Sequence, residues 1–227
     1  MKTLIYQVYT GKRSKLYDTC TESVKQYADR INADYIVQRN PILMIKPDIF
    51  ATNRSNESYM KYGGFLPIYE KENAFTHLNT YDQIAVIDAD VYVRPNVSQS
   101  IFSDADPSYD FAAVVERQMP INDNYKAKIA NYSRMQYSTI KSVDWKWNQL
   151  GAEFMNMGVM IVNKSILKYL NGETPKEFLS RSRFKPFIDG LGAWKWSTDQ
   201  TLLNTWIREE KMNIKHLDWK WNGLYTA

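Results

Sequence analysis

At 227 residues, with 44% apolar and 24% charged side chains, the chain has the length and balance of one globular domain with a real core, which excludes a disordered protein. A net charge of +4 with no run of five Lys or Arg excludes a nucleic-acid-binding arm, yet would not repel a small anion. The single cysteine, Cys20, and two histidines exclude an intrachain disulfide and a standard structural zinc site.

Residues 3–9, TLIYQVY, are rich in β-branched and aromatic types and end in Thr10-Gly11, which marks a strand followed by a turn. The apolar part is too short for a signal peptide, and no run approaches the ~20 residues that span a bilayer. A cytoplasmic protein without a transmembrane segment is therefore expected. Leu16, Cys20, Val24, Tyr27 and Ile31 then recur at helical spacing over 14–31, and DYIVQ at 34–38 reads as a second strand. Strand, helix and strand within the first 40 residues predict an α/β fold with parallel strands.

Pro41, Pro47 and the polar TNRSNES make 40–56 a loop, and 57–78 reads as a helix with breaks at Gly63-Gly64 and Pro67. QIAVID at 83–88 and DFAAVVE at 110–116 read as buried strands, with VYV at 91–93 as a further extended piece. Residues 117–153 lack periodicity and read as a long loop, a length that usually signals function. MGVMIVN at 157–163 returns to a strand, helices follow near 164–170, 175–182 and 198–210, and NIKHL closes with a short strand. DWKWN occurs twice, at 144–148 and 218–222, and AWKWS lies at 193–197. In an extended segment each Trp-x-Trp puts both rings on one face, either as a sugar-stacking platform or as ordinary packing.

The sharpest chemical signal is QIAVIDADVYV. Asp88 and Asp90, separated by Ala89, follow a buried strand, and in an extended chain their carboxylates point the same way. Two facing carboxylates are costly unless a cation lies between them, and hard oxygen ligands suit Mn²⁺ or Mg²⁺. Strand C-terminal edges are also where open α/β sheets bind ligands. The competing reading has one Asp capping a turn and the other solvated.

An apolar strand followed by Asp-Ala-Asp resembles the DxD motif of GT-A glycosyltransferases, most closely glycosyltransferase family 8 and its nucleotide-sugar-using relatives. EFMNMGVMIVN at 153–163 resembles that family's Phe-Asn-Ser-Gly-Val segment, with Met157 at the usual Ser. STDQTLLN at 197–204 resembles its Asp-Gln motif, and LDWKWNG at 217–223 its Leu-Pro-x-x-Trp-Asn segment, with Asp218 at the usual Pro. The resemblance implies a single GT-A domain over 1–227 with a mostly parallel central sheet flanked by helices. Residues 1–116 would form the nucleotide-binding half and 117–227 the sugar and acceptor half, with 117–153 on the acceptor side.

It further implies a sugar moved from a nucleotide-diphosphate donor, a UDP-sugar favoured, to a glycan or other hydroxyl acceptor, with retention of anomeric configuration. Asp88 and Asp90 would bind the metal. Val8, Tyr9 and Thr10 would lie against base and ribose, with Tyr17 as a further stacking candidate or a core position. Lys61 matches the basic residue on the helix before the DxD strand. Glu116 stands where the family has an Asp that accepts hydrogen bonds from the sugar. Asn156 and Gly158 would lie beside that sugar, and Asp199 and Gln200 would flank its anomeric carbon, Asp199 doubling as a helix cap. The family's C-terminal His metal ligand is not matched. His216 precedes the LDWKWNG segment and reads as a residue of the last strand, and His77 has no catalytic case.

Three rivals share features. A haloacid-dehalogenase-like phosphatase also uses Asp-x-Asp, but on its first strand with Gly-Thr or Gly-Val following. A sugar-nucleotide pyrophosphorylase expects a Gly-rich N-terminal loop, and VYTGKRSK has one glycine. A non-catalytic nucleotide-sugar or carbohydrate-binding relative would not need Asp88, Asp90, Asp199 and Gln200 intact.

Overall fold

The computed structural model describes residues 1–48 and 62–224. Its strands are β1 (Thr3–Val8), β2 (Asp34–Gln38), β3 (Gln83–Ile87), β4 (Phe111–Val115), β5 (Met155–Asn163) and β6 (Ile214–Leu217), and they form one sheet in the order β2-β1-β3-β5-β4-β6. Pairing is parallel between β1 and both β2 and β3, and between β4 and β6. Among these strands β5 alone runs antiparallel, between β3 and β4. The mostly parallel α/β sheet expected from the sequence is what forms.

Alternation along the strands builds a core on each face. Leu4, Tyr6, Ile84, Val86 and Phe111 enter one layer, while Ile5, Ala85, Ile87, Ala112 and Val114 enter the other. β3 and β4 are buried at every position, which is why they read as unbroken apolar runs.

Helix α1 (Lys15–Arg30) begins at Ser14, whose side chain accepts the Tyr17 N–H, and packs Cys20, Val24 and Tyr27 against the sheet. Leu16, expected on that face, stays exposed. Where 57–78 is described, Gly63 and Gly64 have φ of 67° and 90°, and a 3-10 helix, Pro67–Asn79, starts at the proline.

Two expectations are corrected. Residues 117–153 are not one long loop, since helix α2 (Asp123–Tyr137) lies inside them, capped by Asn122. Its buried face mixes Ser133 and Gln136 with Ile129, Ala130 and Tyr137, so polar residues mask the apolar period. Residues 91–93 join no strand, and the Val93 N–H donates instead to Ser23 Oγ on α1.

Short helices α3 (Leu167–Leu170), α4 (Pro175–Leu179) and α5 (Lys185–Asp189) lead to α6 (Asp199–Glu209), which caps the site. The Trp-x-Trp pairs do not share one face. In each, one ring is anchored and the other open: Trp145 is buried and Trp147 exposed, and the Trp194 and Trp221 indoles donate to Gln136 O and Asp104 Oδ2 while Trp196 and Trp219 stay exposed. Trp219–Trp221 forms a 3-10 turn rather than an extended segment.

Glu70 holds the chain after β2 in place. Fully buried, it accepts the backbone N–H groups of Ile42 at 2.7 Å, Leu43 at 3.1 Å and Met44 at 2.7 Å, and the Gln38 side-chain amide at 2.7 Å. Glu70→Ala orphans these donors and should cost about 3 kcal/mol, read as a lower urea midpoint with an unchanged m value.

Candidate active site

The site is built where β3 runs out. The Asp88 backbone is fixed from both sides, its N–H donating to Gly158 O on β5 at 2.8 Å and its carbonyl accepting the Gln7 side-chain amide of β1 at 3.1 Å. Asp88, Ala89 and Asp90 then turn rather than extend. The Val91 N–H closes the turn onto Asp88 O at 3.1 Å, and Cys20 Sγ on α1 contacts Asp90 O at 3.4 Å. Although the strand geometry behind the facing-carboxylate expectation does not continue to Asp90, Asp88 and Asp90 still line the same cavity, of about 1040 Å³. Asp88 is half-buried and Asp90 exposed.

Sequence reasoning missed the residue that organises this edge. Lys71, on the 3-10 helix before β3, is buried and places Nζ 2.9 Å from Asp88 Oδ1, 2.7 Å from Asp199 Oδ2 and 3.1 Å from Met157 O. Burial opposes its charge, but Asp199 and Asp88 outweigh that and hold its pKa above the ordinary lysine value. Burial pushes the Asp88 carboxyl up to about 6 against the pull of Lys71. Glu72, the next residue, is fully buried, and burial followed by the charge of Asp199 drives its pKa well up. A signal was present: Glu70-Lys71-Glu72 is a charged triplet set between buried aromatic neighbours, Tyr69 and Phe75, in a helix leading straight into the DxD strand. Lys61, assigned that role from the resemblance, lies outside the described residues.

Asp199 opens α6. Thr198 is the cap, accepting the Gln200 N–H at 3.2 Å, so Asp199 is not the cap itself but a buried first-turn residue facing Lys71. Gln200 accepts the Met157 N–H and donates Nε2 to Glu116 Oε2 at 3.2 Å. Asn156 donates to the same Glu116 oxygen at 3.1 Å. Burial raises the Glu116 pKa, and these two amides work against the shift.

Asn156 Oδ1 in turn accepts the Gly158 N–H at 2.9 Å and the Asn222 amide at 2.7 Å. Asn222 was not singled out from the sequence, although it ends the LDWKWN segment. A bulge in β5 makes this possible. Ala113 pairs with Met160 but Val114 with Asn156, so residues 157–159 are extra on the β5 side. A Cβ at Gly158 would sit 3.1 Å from Asn156 Oδ1 and 3.3 Å from the Asn222 amide, so only glycine fits without displacing them.

Asp88, Asp90, Asn156 and Gly158 thus share the cavity, with Lys71, Asp199, Gln200 and Glu116 wired to its lining. Val8, Tyr9 and Thr10 are at the neighbouring end of β1 but do not line it. Tyr9 is buried under Arg39, 4.3 Å from its ring centre, and Tyr17 is exposed with its ring edge-on to Tyr9. His216 sits on β6 near Glu153, as its strand reading expects. Among the described residues no group of three or more His, Cys, Asp or Glu is arranged to hold a metal.

Lys71→Met would leave Asp88 and Asp199 as unpaired like charges. Its expected cost is about 3–5 kcal/mol in urea unfolding, and adding Asp199→Asn should recover part of that loss.

No family model and no curated protein matches the chain. Solved structures do. Mouse xyloside xylosyltransferase 1 matches at 13% identity over 97% of this chain and 86% of its own, with a TM-score of 0.52. The WbbM bifunctional glycosyltransferase matches at 13% identity over 97% of this chain, which spans 39% of that longer protein, with a TM-score of 0.50. The mannosyltransferase Ktr4p from S. cerevisiae matches at 10% identity over 95% of this chain and 68% of its own, with a TM-score of 0.48. At these identities the first two matches show architecture alone, and the chain has the GT-A glycosyltransferase fold.

Proposed function

We propose that the protein is a metal-dependent glycosyltransferase that moves a sugar from a nucleotide-diphosphate donor, a UDP-sugar favoured, to a hydroxyl acceptor with retention of configuration. The observation that carries this reading is the joining of Asp88 and Asp90, at the C-terminal end of β3, to Lys71, Asp199, Gln200, Glu116 and Asn156 around one cavity in this fold.

The pair Asp88 and Asp90 suits Mn²⁺ or Mg²⁺ in donor chemistry, as two hard oxygen ligands on one turn beside an exposed cavity. With no third protein ligand among the described residues, diphosphate oxygens and water would complete the coordination. A cation there would supply positive charge to the departing diphosphate. Lys71 fixes Asp88 and Asp199 relative to each other. Glu116, braced by Asn156 and Gln200, offers acceptor oxygens to sugar hydroxyls, and Gly158 lets the donor approach the backbone closely. Val8, Tyr9 and Thr10 would receive the nucleotide at the adjoining end of β1.

Asp199 is buried and tied to Lys71, which suits an electrostatic role at the anomeric carbon better than that of a mobile nucleophile, and so favours same-face attack and retention. No described helix is long and apolar enough to cross a membrane. A cytoplasmic site of action fits the lone cysteine, Cys20.

Saturating UDP-sugar with Mn²⁺ should raise the melting temperature by about 5–10 °C. Chelator should abolish the shift, and so should Asp90→Ala, an exposed position whose loss spares the fold. Slow Mn²⁺-dependent donor hydrolysis should fall about a hundredfold or more in the same variant. Donor affinity indifferent to chelator would sink the proposal. Turnover of a phosphomonoester would favour the phosphatase reading, and donor binding without hydrolysis the non-catalytic one.

A further inference from the structure

The cavity extends well beyond the groups assigned to donor and metal. Its volume of about 1040 Å³ is at the upper limit of ordinary ligand pockets, and it does not include the end of β1 where the nucleotide is proposed to lie. The additional space is enclosed by two chain segments, 91–99 and 219–224. The first is fastened to α1 through Ser23 Oγ, Tyr27 and Arg30. The second is fastened through the Trp221 indole on Asp104 and the Asn222 amide on Asn156.

From these two segments the large aromatic residues Tyr92 and Trp219 both line the same space. Tyr92 is 53% exposed and Trp219 is 49% exposed. Trp219 lies beside Gly223, where a Cβ would meet two of its ring carbons at 3.6 Å, an ordinary contact distance. The anchoring of Trp221 fixes this turn, and Trp219, half exposed, lines the cavity from it.

The same lining includes the neutral hydrogen-bonding residues Asn96 and Ser98, and Gln99, whose amide is engaged by Asp104 and Lys220. The charged side chains of the lining are Arg94, Lys220, Asp88 and Asp90, and the last two are those assigned to the metal. Flat apolar faces beside neutral hydrogen-bonding groups suit a sugar ring, with its C–H face and its hydroxyls. Residues 117–153, expected on the acceptor side, contribute nothing to this lining.

We propose that Trp219 and Tyr92 form the acceptor subsite and that the acceptor is a saccharide. The inference rests on the transferase reading above. The sugar ring stacks on Trp219 and presents a hydroxyl toward Asp88, Asp90 and Asn156. Tyr92 bounds the subsite from the other segment.

The test uses the full chain with Mn²⁺ and UDP on a panel of immobilised neutral oligosaccharides, with wild-type hydrolysis of UDP-sugars measured alongside. Wild type should bind at least one saccharide, and Trp219→Ala should weaken that binding about tenfold or more while melting within a few degrees of wild type. Trp219→Tyr, which keeps a flat face, should retain most of it. Trp147→Ala, removing an exposed indole outside the cavity, should leave it unchanged. Equal binding by wild type and Trp219→Ala, or an equal loss in Trp147→Ala, overturns the proposal. Hydrolysis without any saccharide binding overturns the proposal alone, whereas absence of UDP-sugar hydrolysis in wild type overturns the transferase reading and this inference with it.

Discussion

One buried ammonium group holds the site together. Lys71 reaches carboxylates from two distant parts of the chain, Asp88 after β3 and Asp199 at the start of α6, and a backbone carbonyl of β5. A buried lysine is tolerated only when its charge is compensated, and two neighbouring carboxylates only when something separates them. Each side of the contact therefore needs the other. With Asp90 added, the edge carries more carboxylates than Lys71 alone can pair with, the condition that the proposed cation would meet.

Around that ion pair, a chain of neutral amides does the finer positioning. Asn222, Asn156 and Gln200 converge on Glu116 and on the β5 backbone. Asn204, deeper in α6, closes the network by pairing with both the N–H and the carbonyl of Met155 at 2.8 Å. Side-chain amides suit this task because each donates and accepts, so the orientation of one dictates that of the next. The result is a carboxylate and a strand segment whose positions are set from three elements at once.

The fold was legible because its elements are written in two clear codes. β3 and β4 are continuous apolar runs, and α1 keeps its three- and four-residue spacing, so both appear without knowledge of the tertiary structure. Asp88, Asp90, Glu116, Asn156, Gly158, Asp199 and Gln200 were legible through motif resemblance, and the structure gathers them at one edge. Lys71 was not, because a lysine in a helix ordinarily reads as solvated and its burial depends on partners distant in sequence. Helix α2 escaped for a related reason, since Ser133 and Gln136 are buried with tertiary hydrogen bonds from Ala152 and Thr201 and blur the apolar period. The shared facing of Asp88 and Asp90 was inferred from strand geometry, whereas a turn produces their shared cavity.

The slip in β5 divides that strand into two regimes. From Val159 onward, side chains alternate between the two core layers in step with β3. Before it, Met155 and Met157 share a layer with Met160, so parity has reversed across Gly158. The later half should accept exchanges among aliphatic residues with little effect on chemistry, as cores do when volume is kept. The earlier half has no such freedom. Removing a single residue near Gly158 would put both halves on one alternation without turning any side chain over, yet would draw Asn156 along the strand away from Glu116 and the Asn222 amide, so the sheet would keep its layers while the site lost its bracing.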